Sequence, residues 1–120
     1  MSHITRGKLR VEIKDGKLLI EVLSELGEVI TQNAVVYNYN GTQIQPVDIA
    51  LRLESGMQRI GFVYNSEKRC YEFVGDAYGV YRTIAEIEKR YVQKAVEKAL
   101  RLQGYTVRKQ GEGVLVGVRA

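Results

Sequence analysis

Residues 57–75 read MQRIGFVYNSEKRCYEFVG, and their reading decides the fold. MQRIGFVY and RCYEFVG are rich in β-branched and aromatic residues, and NSEK at 65–68 supplies turn chemistry between them. Two strand-like runs joined by so short a turn imply an antiparallel pair. Upstream, residues 42–54 alternate. Val47, Ile49, Leu51 and Leu53 take the buried side, and Asp48, Ala50, Arg52 and Glu54 the other. Pro46 has no N–H to donate, so that part of the strand is expected at an edge or a bulge. Ser55-Gly56 turns this strand into the next. Asn40-Gly41 is a hairpin signal, because type I′ turns need positive φ at both central residues, and it joins NAVVYNYN to the 42–54 run.

Further out, KLRVEIK at 8–14 places Leu9, Val11 and Ile13 on one face and charges on the other, the pattern of a half-buried strand. DGKLLIEVLSELG then carries a helical stripe of Leu19, Val22, Leu23 and Leu26, with Asp15 as N-cap and Gly27 as the stop. A second helix is predicted from Thr83, with Thr83 and Glu86 as a capping box and Gly104 at its end. Ile84, Ile87, Tyr91, Ala95, Ala99 and Leu102 fall on one of its faces. YTVRKQ and VLVGVRA close the chain as a hairpin around GEG, available for pairing. The order β-α-β-β-β-β-α-β-β predicts one α+β domain over residues 1–120. It is an antiparallel sheet with two helices on one face.

A chain of 120 residues with 45% hydrophobic and 27% charged residues supports one core. Its single cysteine, Cys70, excludes an intrachain disulfide and suits a reducing compartment. Apolar runs stay short, so none approaches the roughly 20 residues of a membrane span. The N-terminus MSHITRGKLRVEIKD lacks the apolar stretch of a signal peptide. The expected location is cytoplasmic, without membrane or cofactor. A net charge of +4 permits anionic partners without demanding them.

His3 is the only histidine, which excludes histidine triads and paired-histidine metal sites within one chain. It is read as a strand-start residue, and no metal site is expected. Cys70 is read as structural, and GEGVLVG as a hairpin turn rather than a phosphate loop. Arg90, Lys94, Lys98 and Arg101 share a narrow arc of the second helix. Glu86 and Glu97 stand four residues before Arg90 and Arg101 and neutralise half of it. Glu88 falls about 40° from Ile84, inside the apolar arc, where a buried carboxylate would need a partner or a raised pKa. Helix starts are often exposed, and Glu88 is expected to be so. YEFVGDAYGVY at 71–81 is the best place for a ligand or partner surface. Tyr71 and Phe73 are expected on the core face, with Glu72 outward on the side the helices leave open. Asp76 is expected in a turn among Tyr78, Gly79 and Tyr81 beside a helix start.

Several segments together resemble an uncharacterised conserved family of cyanobacteria, red-algal plastids and scattered bacteria and archaea. The segments are MSHI at 1–4, SELG at 24–27, VDI at 47–49, RIGF at 59–62, YEFVGDAYGV at 71–80, and RY and QGY at 90–91 and 103–105. Ala77-Tyr78 stands where the family pattern has Trp-Trp, and Arg59 where it has Asp. The resemblance implies no catalytic residues, and it adds weight to Glu72, Asp76 and Gly79 as members of a functional surface. The function expected first is a non-enzymatic binding or assembly-accessory module. It acts through Glu72, Asp76, Tyr78, Gly79 and Tyr81 on a second copy or another protein. The alternatives are nucleic-acid binding through Arg90, Lys94, Lys98 and Arg101, or a small enzyme with Glu72, Asp76 or Glu88 as acid or base.

Overall fold

The computed structural model describes residues 4–38, 41–53, 59–76, 80–111 and 114–119. Its elements in chain order are β1 (Ile4–Gly7), α1 (Gly16–Ser24), β2 (Glu28–Ile30), β3 (Val35–Tyr37), β4 (Ile44–Pro46), β5 (Ile49–Arg52), β6 (Arg59–Asn65), β7 (Cys70–Asp76), α2 (Val80–Leu102), β8 (Tyr105–Gly111) and β9 (Val114–Arg119). The fold is α+β, in the expected order, with the run read at 42–54 divided into β4 and β5 and a short strand, β2, added before NAVVYNYN. The division at 42–54 has a local cause. Pro46 ends β4, Val47 donates its N–H to Ala34, and Asp48 donates to Phe62, so the chain changes sheets there.

The main sheet runs β1-β7-β6-β5-β2, all antiparallel. The β6–β7 hairpin sets its register, with Phe62 opposite Phe73 and Tyr64 opposite Tyr71. Asn65 makes the turn by accepting the N–H groups of Glu67 and Lys68. One face carries Leu51, Ile60, Phe62 and Phe73 against Leu19, Val22 and Leu23 of α1 and Ile84, Ile87 and Tyr91 of α2. Both helices therefore lie on one face. Asp15 caps α1 through Leu18 N–H, as its sequence signal indicates.

The opposite face is not left open. The β3–β4 ribbon lies on it and buries Val36 over Ala50, Gly61 and Val74. Gly61 is required there: a Cβ would stand 2.5 Å from Val36 Cγ2 and 2.6 Å from Val47 Cγ1. Ala50 is consequently buried, contrary to its expected outward position. Asn38 holds the ribbon's turn, bonding Thr42 and the Gln43 N–H, and Gln43 in turn accepts the N–H of Ile4. Of the Asn40-Gly41 signal, Asn40 lies outside the described residues, and Gly41 has φ of +73°.

Residues 8–14 alternate in burial as a strand does, yet they are not one. β1 ends at Gly7, opposite Phe73, and the next bond to β7 is Tyr71 N–H to Ile13 O at 2.8 Å. The intervening residues leave the sheet as a strap. Glu88 of α2 accepts the N–H groups of Arg10 and Val11, and the Tyr91 hydroxyl accepts those of Lys14 and Asp15. Side chains of a helix thus replace the ladder that the alternation implied.

α2 starts at Val80, three residues before the expected cap. Thr83 and Glu86 therefore lie inside the helix, and Glu86 bonds Arg90 instead of a helix end. Its 23 residues span about 35 Å. The body covers it only as far as Tyr91 and Ala95. Beyond that point Ala99 is exposed and Leu102 is 80% exposed, so neither joins the core. The last turns and the β8–β9 ribbon form an arm, joined where Gly117 lies against Leu100 and Tyr105. Gly104, at φ +90°, turns the helix into the ribbon. The radius of gyration is 15.6 Å, above the roughly 13.6 Å of a compact domain this long.

Candidate functional site

Of the stretch 71–81, residues 71–76 lie in a largely buried strand, and at the start of α2 Val80 is buried and Tyr81 exposed. Tyr71 and Phe73 face the core as expected. Glu72 does face away from the helices, but it is 8% exposed rather than outward. Both Nε and Nη2 of Arg6 contact its Oε1, at 2.8 and 2.6 Å, and Lys68 Nζ stands 3.9 Å from Oε2. The bond from Arg6 holds its carboxyl below the ordinary Glu value against the opposing effect of burial. Asp76 is the last residue of β7 rather than a turn residue. It sits opposite Ile4, is 3% exposed and is engaged in a polar contact. Tyr78, Gly79 and His3 lie outside the described residues. Tyr81 is 60% exposed, in the first turn of α2, with its ring edge-on to Phe73 at 6.1 Å.

The four helix cations are each engaged. Arg90 binds Glu86 at 2.9 Å and Glu25 at 3.1 Å, and Lys94 binds Glu25 at 2.9 Å. Lys98 binds Asp15 at 3.0 Å, and Arg101 binds Glu97 at 2.6 Å. Three of the four thus tie to acids in or beside α1. Lys94 lowers the carboxyl of Glu25, and Lys98 lowers that of Asp15. Glu88 is 7% exposed, and its partners are the backbone N–H groups of the strap. Cys70 is half-buried beside a cavity of about 360 Å³ between the strap and the start of β7.

The reading of the sequence missed a second stripe on α2. Tyr81, Ala85, Val92, Val96 and Ala99 are all exposed, and at 100° per residue they fall within an arc of about 60°. Val92 and Val96 are 41% and 43% exposed, and Leu102, at the angle of Ile84, is exposed beside the stripe at the helix end. The signal was present as the i, i+4 pair Val92/Val96. It was hidden because Ile84, Ile87 and Tyr91 make a stronger stripe beside it. This apolar line joins Tyr81 to the arm, where Val118 of β9 is also exposed.

The arrangement defines a small α+β protein whose buried acids hold the fold together and whose exposed feature is an apolar helix face. A protein-family model matches residues 22–117, and the chain belongs to that family, described as proteins of unknown function (DUF1257). No curated protein and no solved structure matches the chain. No helix among the described residues is long and apolar enough to cross a membrane.

Proposed function

We propose that the protein is a non-enzymatic binding or assembly module that works by self-association along the outward face of α2. The observation that carries this reading is the exposed line from Tyr81 through Ala85, Val92 and Val96 to Ala99, with Leu102 exposed beside its end. Water-exposed apolar side chains along one helix face favour burial against a second surface. A second copy is the simplest occupant, because a two-fold pairing of α2 with itself buries the same row twice. Tyr81 is the member of the 71–81 stretch that takes part, while Glu72 and Asp76 are buried on the sheet face away from the helices. The enzyme reading loses ground because Glu72 and Glu88 are committed to structural partners. Nucleic-acid binding ranks lower because counterion release needs cations free to meet phosphates, and the four in question already meet carboxylates.

Sedimentation of the full chain across a concentration series tests the proposal. A reversible dimer is expected, and Val96→Asp should shift it to monomer with the helical circular dichroism unchanged. A chain that stays monomeric at high concentration would overturn self-association.

A further inference from the structure

The strap meets β7 in a way that permits a second register. β1 pairs with β7 so that Thr5 faces Gly75 and Gly7 faces Phe73. Continued in step, that register would place Lys8 opposite Glu72, Leu9 opposite Tyr71 and Arg10 opposite Cys70. In the structure the slot at Tyr71 is instead taken by Ile13, four residues later, through Tyr71 N–H to Ile13 O. A shift of four is even, so it keeps every side chain on its own face. Leu9 and Ile13 therefore compete for one position, and both are suited to it. The cavity of about 360 Å³ lies between residues 8–12 and residues 68–72, where a strand in the continued register would sit.

We propose that residues 8–14 are a two-register strap. In the open register, the one observed, Glu88 and Tyr91 latch it to α2 through four backbone N–H groups. In the closed register Leu9 replaces Ile13 opposite Tyr71, β1 lengthens along β7, and the cavity beside Cys70 is filled. Residues 11–14 then carry the slack as a loop to Asp15. Closing releases the Arg10 and Val11 N–H groups from Glu88. It forms the Leu9–Tyr71 pair of ladder bonds in place of Tyr71 N–H to Ile13 O, and brings Lys8 opposite the buried carboxylate of Glu72. The alternation of KLRVEIK, which is that of a strand, serves both registers.

A disulfide trap tests this. Cys70 is the only native thiol, so Arg10→Cys creates one possible intrachain pair. The closed register sets the two as a non-hydrogen-bonded antiparallel pair. Its Cα spacing of about 4.5 Å falls within the roughly 4.4–6.8 Å of disulfides. In oxidised glutathione the full chain should form the 10–70 disulfide, identified by peptide mass. Glu88→Gln, which weakens the latch at constant size, should raise its rate about tenfold. Should that variant fail to fold, Tyr91→Phe loosens the other half of the latch and should raise the rate in the same direction. A folded Arg10→Cys chain that forms no 10–70 disulfide would overturn the proposal, and so would a rate that the latch variants leave unchanged.

Discussion

The body and the arm are built from one continuous helix and differ in almost everything else. In the body, α2 packs on a five-stranded sheet whose second face is itself covered by the β3–β4 ribbon. In the arm, the same helix meets only a two-stranded ribbon, and such a hairpin is marginal by itself. Apolar side chains on α2 are buried at Ile84 and Ile87 and exposed at Val92, Val96 and Leu102. The body has covered both faces of its sheet, while the outward face of α2, running from Tyr81 into the arm, stays uncovered. Stability is therefore expected to reside in the first, and association in the second.

The comparison predicts its largest effect at Phe62, fully buried between helices and sheet. Phe62→Ala should cost about 3–5 kcal/mol in urea unfolding. A loss under about 1 kcal/mol would place the stabilising core elsewhere. Gly61→Ala tests the other layer of the body. With no room beside Val36 and Val47, it should cost roughly 1–3 kcal/mol through overpacking. A neutral result would mean that the β3–β4 ribbon lifts freely from the sheet.

A third effect depends on pH. Because Arg6 depresses the carboxyl of Glu72, its contribution is present above the ordinary Glu value, about 4.3, and is lost as pH falls through the lowered one. Glu72→Gln should therefore unfold at lower urea than the native chain at neutral pH, and the gap should close on acidification. A gap that stays constant into strong acid would show that the ion pair contributes little.

How much of this was legible in the sequence follows the range of the forces involved. α1 was readable because Asp15 and the stripe after it act within a few residues. The β6–β7 hairpin was readable for the same reason. The strap misled because alternation reports which face a side chain takes, not what its backbone bonds. Its partners are Glu88 and Tyr91, 76 to 78 residues away. Glu88 reads from the sequence as exposed at a helix start, yet it is buried, and this backbone is its partner. The covered second face left a trace in Ala50 and Gly61, small residues set opposite each other. That trace has meaning only once β3 is known to cross above them. Of the proposed surface, Tyr81 was already a candidate in the sequence. The rest of its stripe was masked by the stronger one beside it, since amphipathic reading selects one face of a helix and assigns the other to water.

The smallest stability effect is expected on the arm, and it sharpens the contrast most. Leu102 is 80% exposed, so removing its side chain withdraws little buried surface from the folded monomer. Leu102→Ala should change unfolding free energy by less than about 0.5 kcal/mol at concentrations where the chain is monomeric. Under self-association, the same substitution should lower the apparent thermal midpoint only as concentration rises, because the dimer is stabilised by mass action and the monomer is not. Two melts, one dilute and one concentrated, separate the cases. Equal midpoints for native and variant chains at both concentrations would show that Leu102 takes no part in association. A drop at both would show that the end of α2 belongs energetically to the body after all.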